Sequence, residues 1–449
     1  MNKPFPADIS AGFKKVDITP PYPVSLAGYF NRRISERVLD PLHMRLAVLE
    51  RDGRHLAFIQ LDNCAIRTED VDEIKNRIAD RGRFRPREIM IWASHIHNGP
   101  DLEGFFGMPP ETGYLDDLKN RIVEEAGALE PVVRCSVQVA RAAYQGLAFN
   151  RRWFLKDGRV VTNPPKMSPE MDRPEGPVDR EANFVVFVDE NGRRLAVFVN
   201  ISNHTDTVGG NDITADWPGF LEKGLNSRIG ADIPVFPLIG PQGNINHYEF
   251  DSPRGQIGYE EAARLGAAYA EIVASSLKNA APAAVGGMDA VETILSIPSM
   301  DIPPEEISAA EAFLARLGME ESPPPGKSLT AEDLMKGDPV VERIFAKGLL
   351  DFAKNKPARF AVPLQVFKLG PIALAAIPGE PFVEVGLALK AVPGYDLVVP
   401  VALANGYFGY IPLEENFRRG GYEIRAGVSS ILSKDAARRI VDGFRRLLG

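Results

Sequence analysis

The chain is poor in the residues that announce a disulfide scaffold or a membrane span. Its 449 residues include two cysteines and six histidines. Two thiols cannot build the multi-bridge framework of a small secreted domain. Cys64 and Cys135 lie in apolar, strand-like surroundings, where free cysteine packs as a small hydrophobe; one bridge between them is the only pairing left open. No stretch approaches the roughly 18 apolar residues that suggest a transmembrane helix. The opening MNKPFPADISAGFKK lacks the apolar core of a signal peptide. A cytoplasmic location is expected, or a secreted one where an upstream signal has been trimmed. There is no run of like charges, and a net charge of −8 counts against nucleic acid or an anionic membrane as partner. HExxH and CxxC pairs are missing. Pro325-Gly326-Lys327-Ser328 carries the GKS of a P-loop without its leading glycine or its strand.

With 45% hydrophobic and 25% charged residues, the chain can bury a large core. Leu46–Glu50 and Leu56–Leu61 predict a hairpin across Asp52-Gly53, and Phe184–Val188 with Leu195–Asn200 another around Asn191-Gly192. Glu69–Ile78 predicts a helix with Thr68 as N-cap and an acidic first turn. Helical spacing recurs at Tyr114–Ala126, Pro218–Leu225, Glu260–Leu277, Phe382–Leu389 and Lys434–Leu448. Asn150–Asp179 is polar and Pro-rich and reads as a surface or site-lining loop. Met300–Lys356, punctuated by Pro303-Pro304 and Pro323-Pro324-Pro325, reads as a helical insertion with amphipathic pieces at Ala309–Leu317 and Val340–Phe352. The expected fold is α/β (mixed α+β): mixed β-sheets flanked by helices, in a single domain 1–449 with the insertion at 300–356.

Chemistry gathers at strand ends. In Ile89–Pro100, IMIWASHIHNGP, the apolar run Ile89 to Trp92 stops at two histidines and the turn signal Asn98-Gly99-Pro100. Residues i and i+2 of a strand share a face, so His95 and His97 are expected to project together while Ile96 turns away. Such a pair builds a metal or acid/base site, or caps the strand as hydrogen-bonded imidazoles; the stretch alone leaves both open. His204, Asn244 with Asn246, Glu380 and Tyr410 each follow another apolar strand. Sites in sheet-based α/β proteins collect at strand ends, so convergence on one pocket is the simplest common explanation. His95, His204 and Glu380 offer the nitrogen and oxygen donors of a catalytic zinc site. Each residue also has a structural reading. Glu380 can cap the next helix, His97 can support a ligand, and Tyr410 can be core. Asp216 lines the site or caps a helix; His43 and His55 read as packing and surface residues.

Taken together, Gly12–Pro20 (GFKKVDITP), Pro41–Arg45 (PLHMR), Ser94–Pro100 (SHIHNGP), Asn203–Gly219 (NHTDTVGGNDITADWPG), Pro378–Pro381 (PGEP) and Asn405–Tyr410 with Gly421-Tyr422-Glu423 carry a family likeness. In order, and over nearly the whole chain, they resemble the N-terminal catalytic domain of neutral/alkaline (non-lysosomal) ceramidases. The resemblance implies a zinc-dependent amidohydrolase that cleaves a linear N-acyl amide with metal-activated water. It implies Zn2+ held by His95, His204, Glu380 and Tyr410. It further implies that His97 and Arg151 bind and polarise the scissile carbonyl, with Tyr422 close to the metal and Arg152 the fallback for Arg151. The expected partner is a small-molecule or N-acyl substrate.

The chain departs from that family twice. Where the family has GDxSP, it reads Gly243-Asn244-Ile245-Asn246-His247; asparagines replace aspartate and serine, and His247 is a candidate to take part. It ends at Gly449, without the family's C-terminal immunoglobulin-like domain. The acidic stretch Glu170–Asp179 and Thr205-Asp206-Thr207 favour a smaller, more polar substrate than ceramide. The alternatives are hydrolysis of an ester or glycoconjugate on the same zinc scaffold, or a non-catalytic metal-binding homologue. A barrel with HxH ligands would need a regular eightfold βα alternation that is missing.

Overall fold

The computed structural model describes residues 9–316, 329, 333 and 336–449. Pro323-Pro324-Pro325, the GKS sequence and Leu317 lie outside the described residues. The larger sheet is built from β1 (Ile9–Asp17), β2 (His43–Arg51), β3 (Arg54–Leu61), β4 (Ile89–Ala93), β5 (Val133–Ala143), β6 (Glu181–Asp189), β7 (Arg194–Ile201) and β8 (Val235–Ile239). Their order is β8-β7-β6-β5-β1-β2-β3-β4, with Ala281–Ala283 added beside β5. Only β7–β8 and β3–β4 pair in parallel. The β2–β3 register is set by Asp52 and Gly53, whose φ values of 51° and 74° are those of a two-residue type I′ turn.

A second sheet runs β9 (Met288–Pro298), β10 (Arg359–Leu369), β11 (Ile372–Ala376) and β12 (Leu397–Val401), with β11 and β12 parallel. The two sheets pack face to face: Leu49, Phe58 and Phe198 of one share a core with Phe367, Leu374 and Val399 of the other. The Phe58 ring lies 5.3 Å from Phe198 and 5.1 Å from Phe367. Strand alternation divides the side chains: Ala47 and Leu49 join this inter-sheet core, whereas Leu46 and Val48 face helices α1 (Thr68–Ala79) and α2 (Thr112–Ala128). Helices α3 (Asp216–Ile229) and α4 (Tyr259–Ser276) cover the same outer face farther along, through Trp217, Leu221 and Tyr269.

Helices α5 (Pro304–Arg316) and α6 (Pro339–Asn355) leave the second sheet after Pro298 and return at its register partner Arg359. Helices α7 (Val383–Lys390) and α8 (Ala436–Leu448) close the outer face of that sheet with Val385, Ile440 and Phe444. The result is four layers, helix on sheet on sheet on helix, in one domain, as the mixed α/β expectation requires. Among the described residues no helix is long and apolar enough to cross a membrane.

Three expectations are corrected. Thr68 does not cap α1: Arg67 holds the N-cap position without a side-chain bond, and Thr68 is already helical. The polar passage after Asn150 contains a three-stranded sheet, Val160–Thr162, Arg152–Leu155 and Met171–Pro174. Its strands are too short to show a period, and the buried Arg152 is neutralised by Glu175 and Glu423. Cys64 and Cys135 are both buried and free, so the bridge left open does not form.

Candidate metal centre

The parallel strands deliver the site. Cys64 follows β3, His95 and His97 follow β4, His204 follows β7, Gln242 follows β8, Glu380 follows β11, and Tyr407 and Tyr410 follow β12. The two sheets are stitched together here: Asn405 N donates to Ile91 O at 2.7 Å, and Ala402 N to Ile239 O at 2.8 Å.

His95 and His97 meet as expected, with ring centroids 5.0 Å apart and planes at 89°, but not along a strand. β4 stops at Ala93, and His95 takes a left-handed φ of 63°, an uncommon backbone for a non-glycine residue. Ile96 is meanwhile held by a parallel bridge to Thr205. Two glycines make room. A Cβ on Gly28 would stand 2.4 Å from His97 Cγ, and one on Gly243 would stand 2.5 Å from Glu380 O.

At the centre, His95 Nε2, His204 Nε2 and Glu380 Oε2 form a triangle with sides of 3.1, 3.2 and 3.3 Å. His95 Nδ1 lies 3.0 Å from Cys64 O, and His204 Nδ1 lies 3.0 Å from Gln242 O and 2.9 Å from Ile245 O. These carbonyls take the Nδ1 protons and leave both Nε2 lone pairs facing inward. Glu380 Oε2 accordingly has no hydrogen-bond donor despite its two close nitrogens. Three buried acceptors converge on one another, an arrangement that calls for a cation. A tetrahedron with bonds of about 2.0–2.1 Å has edges of about 3.3–3.4 Å, so the triangle fits one face of a zinc site. His95, His204 and Glu380 are a candidate metal-binding cluster, and Cys64, His95 and His97 are a second, overlapping grouping.

Neighbours fix the three donors. Tyr407 Oη donates to Glu380 Oε1 at 2.8 Å, and Trp217 Nε1 donates to His204 O at 2.8 Å. Arg151 Nη1 lies 3.3 Å from His204 Nε2, its Nη2 donates to Gly243 O at 2.7 Å, and its Nε donates to Glu423 Oε1 at 3.1 Å. Burial pushes the Glu380 carboxyl up, but His95 and His204 outweigh it and hold the group well below the usual carboxylate range. His95 moves the other way: burial lowers it, and the Glu380 carboxylate drives it well above the ordinary imidazole value, so without an ion the triangle favours a proton on His95, which a bound cation would displace. Burial, with His95 beside it, keeps His97 well below its ordinary value.

His95 and Glu380 of the cluster line a cavity of about 510 Å³, and His204 closes the triangle behind them. One wall is apolar, with Phe30, Phe105, Phe106, Leu329 and Val428; another is polar, with Asn163, Lys166, Asp206 and Gln256. His97, Arg151, Tyr410 and Tyr422 also line it. Glu380 and Tyr410 are register partners in a two-residue parallel ladder, and Tyr410 Oη lies 2.9 Å from Tyr422 Oη.

No family model matches the chain, and no curated protein matches its sequence. Solved structures do match. Neutral ceramidase from Pseudomonas aeruginosa superposes with a TM-score of 0.73 at 17% identity, over 98% of this chain and 73% of that one. A ceramidase complexed with C2 gives 0.71 at 17% identity, over 97% and 74%. The fold resembles that of neutral ceramidase. At this identity the likeness is one of architecture, so residue roles rest on the geometry above.

Of the residues singled out from sequence, His95, His97, Arg151, His204, Glu380, Tyr410 and Tyr422 share the one cavity region. Arg152 does not: it is buried against Glu175, Glu423 and Gly420 O. Asp216 holds Val208 N and Trp217 N and does not line the cavity. Glu380 does not cap α7; Asn244 does, accepting from Val383 N at 2.8 Å. Asn246 ties Asn163 to Tyr248. Tyr407 and Glu423 escaped the sequence reading, although both stand inside quoted motifs beside residues that were chosen.

Proposed function

We propose that this chain is a zinc-dependent hydrolase of N-acyl amides, resembling the neutral/alkaline ceramidases, with Zn2+ held by His95, His204, Glu380 and Tyr410. The supporting observation is the triangle of inward-facing Nε2, Nε2 and Oε2 atoms, 3.1–3.3 Å apart, at a cavity with one apolar wall. A divalent ion there polarises a carbonyl and lowers the pKa of water from about 15.7 to roughly 7.

The chain's own groups do the rest. The apolar wall receives the acyl portion. Arg151 is neutralised by Glu423, so it adds a directed donor without adding net charge; aimed at the carbonyl oxygen, it stabilises the developing oxyanion. His97 Nε2 is enclosed and unpartnered, and a neutral imidazole can donate an N–H to the same oxygen without the cost of a buried charge. Tyr422 braces Tyr410 through their hydroxyl pair. Residues 300–356 are an insertion carried by this single catalytic domain, spliced between two paired strands.

The test is metal analysis of the purified protein, followed by turnover of N-octanoyl amides and the matching octanoyl esters. The expected outcome is about one zinc per chain, with amide hydrolysis lost on chelation and restored by zinc. Turnover of esters alone would move the reading to an esterase. Absence of both bound zinc and turnover would retire it.

A further inference from the structure

The polar wall of the cavity holds a pair that the hydrolytic reading leaves unused. Asp206 lines the cavity with 18% of its side chain exposed; its Oδ1 atom is turned inward, enclosed and without a hydrogen-bond partner, so the carboxylate meets the cavity through the rest of the group. Behind it stands His247, fully buried, with Nδ1 3.7 Å from that oxygen. The ring is locked in place by Gln256: His247 Nε2 lies 2.7 Å from Gln256 O, and Gln256 Nε2 donates to His247 O at 2.7 Å. His247 Nδ1, 3.7 Å from Asp206 Oδ1, has no hydrogen-bond partner either. The imidazole props the carboxylate without satisfying it. Nearby cations are already engaged: Arg151 with Glu423, Arg254 with Glu261, and Lys166 with Arg254 O. A carboxylate only accepts hydrogen bonds, and the part of it that faces the cavity can take a donor from a ligand.

We propose that Asp206, backed by His247, is a polar subsite for a hydrogen-bond donor, an ammonium or a hydroxyl, carried on the amine portion of the substrate. The placement beside a scissile bond rests on the hydrolase reading; the contact itself does not. The cavity also has an apolar wall, with Phe30, Phe106, Leu329 and Val428, so the two kinds of lining read the two ends of one molecule. Because a buried polar group left unpaired penalises the analogue lacking its partner, Asp206 sets specificity.

The test is calorimetric titration of the zinc-loaded protein with N-octanoyl ethanolamine, N-octanoyl ethylenediamine and N-octanoyl propylamine, with turnover followed in parallel. The unsubstituted protein should bind one or both donor-bearing probes roughly 10- to 100-fold tighter than the propylamine probe. In Asp206→Leu that preference should vanish. In Asp206→Asn, which keeps the shape and an acceptor oxygen, preference for the ammonium should vanish and preference for the hydroxyl should persist. Asp206→Asn also carries the test where Asp206→Leu does not fold. Equal affinity for all three probes, no binding of any, or a preference untouched by both substitutions would overturn the proposal. A preference that depends on Asp206 without any turnover would keep the subsite and remove the hydrolase reading; turnover without preference would do the reverse.

Discussion

Two buried groups of charged side chains in this fold are built in opposite ways. Around Arg45, charges meet their opposites. Its guanidinium donates to Gln60 Oε1 at 2.6 Å, to Asp62 Oδ1 at 2.8 Å and to Glu222. Asp62 also accepts from His43 N at 2.9 Å, and Lys15 stands 3.5 Å from Glu222. Around Glu380, acceptors meet acceptors. The two groups are neighbours, since Ser94 Oγ reaches Asp62 at 3.3 Å and His95 is the next residue. A buried cluster that closes on itself is structure; a buried cluster whose lone pairs face one another awaits a ligand.

The largest effect should come from removing one of the facing acceptors. His204→Ala or Glu380→Ala should lose bound zinc, measured as metal per chain, by more than the 10–100-fold in affinity that loss of a supporting residue costs; turnover should go with it. On the closed cluster, Arg45→Met should destabilise the protein by about 3–5 kcal/mol in urea unfolding, because Asp62 and Glu222 are left buried without their partner. Zinc per chain should stay the same. Release of zinc by Arg45→Met would break the comparison. Tyr407→Phe leaves Glu380 Oε1 without its donor and should weaken zinc about 10–100-fold in a chelator competition.

Glu103 gives the smallest effect per step and sharpens the contrast. Its Oε1 is also enclosed and unpartnered, but there a proton answers the need. Burial pushes the carboxyl up to about 8, against the pull of Arg67 and with help from Asp101. The folded protein therefore keeps this proton up to about pH 8, whereas the unfolded chain releases it above the ordinary glutamate value of 4.5. The stability linked to it is fully present below pH 4.5, falls as pH rises through that window and levels off above about 8. The slope is at most about 1.4 kcal/mol per pH unit. Glu103→Gln should flatten that slope in unfolding titrations.

Much of this architecture was legible because local pattern and tertiary role agree. Asp52-Gly53 demanded a hairpin and made one, and the alternation of Leu46, Ala47, Val48 and Leu49 divides between helix and sheet as a half-buried strand must. The candidate cluster of His95, His204 and Glu380 was legible because each follows an apolar strand, and strand ends in sheet-based α/β folds are where sites collect. Where burial of charge decides, the pattern fails. Arg152 and Glu423 look like surface residues until each is seen to neutralise the other. Tyr407 and Asn244 owe their roles to residues 27 and 139 positions away, a distance over which no periodicity speaks. His95 and His97 reached the same side by a turn rather than a strand, so the expectation met its outcome through a different backbone.

The central claim is that one divalent ion sits among side chains drawn from both sheets. An anomalous-scattering map of the zinc-loaded crystal at the zinc absorption edge tests it most directly. One peak within bonding distance of His95 Nε2, His204 Nε2 and Glu380 Oε2 is the predicted result. A map with no peak there, or with its peak elsewhere, would contradict the account.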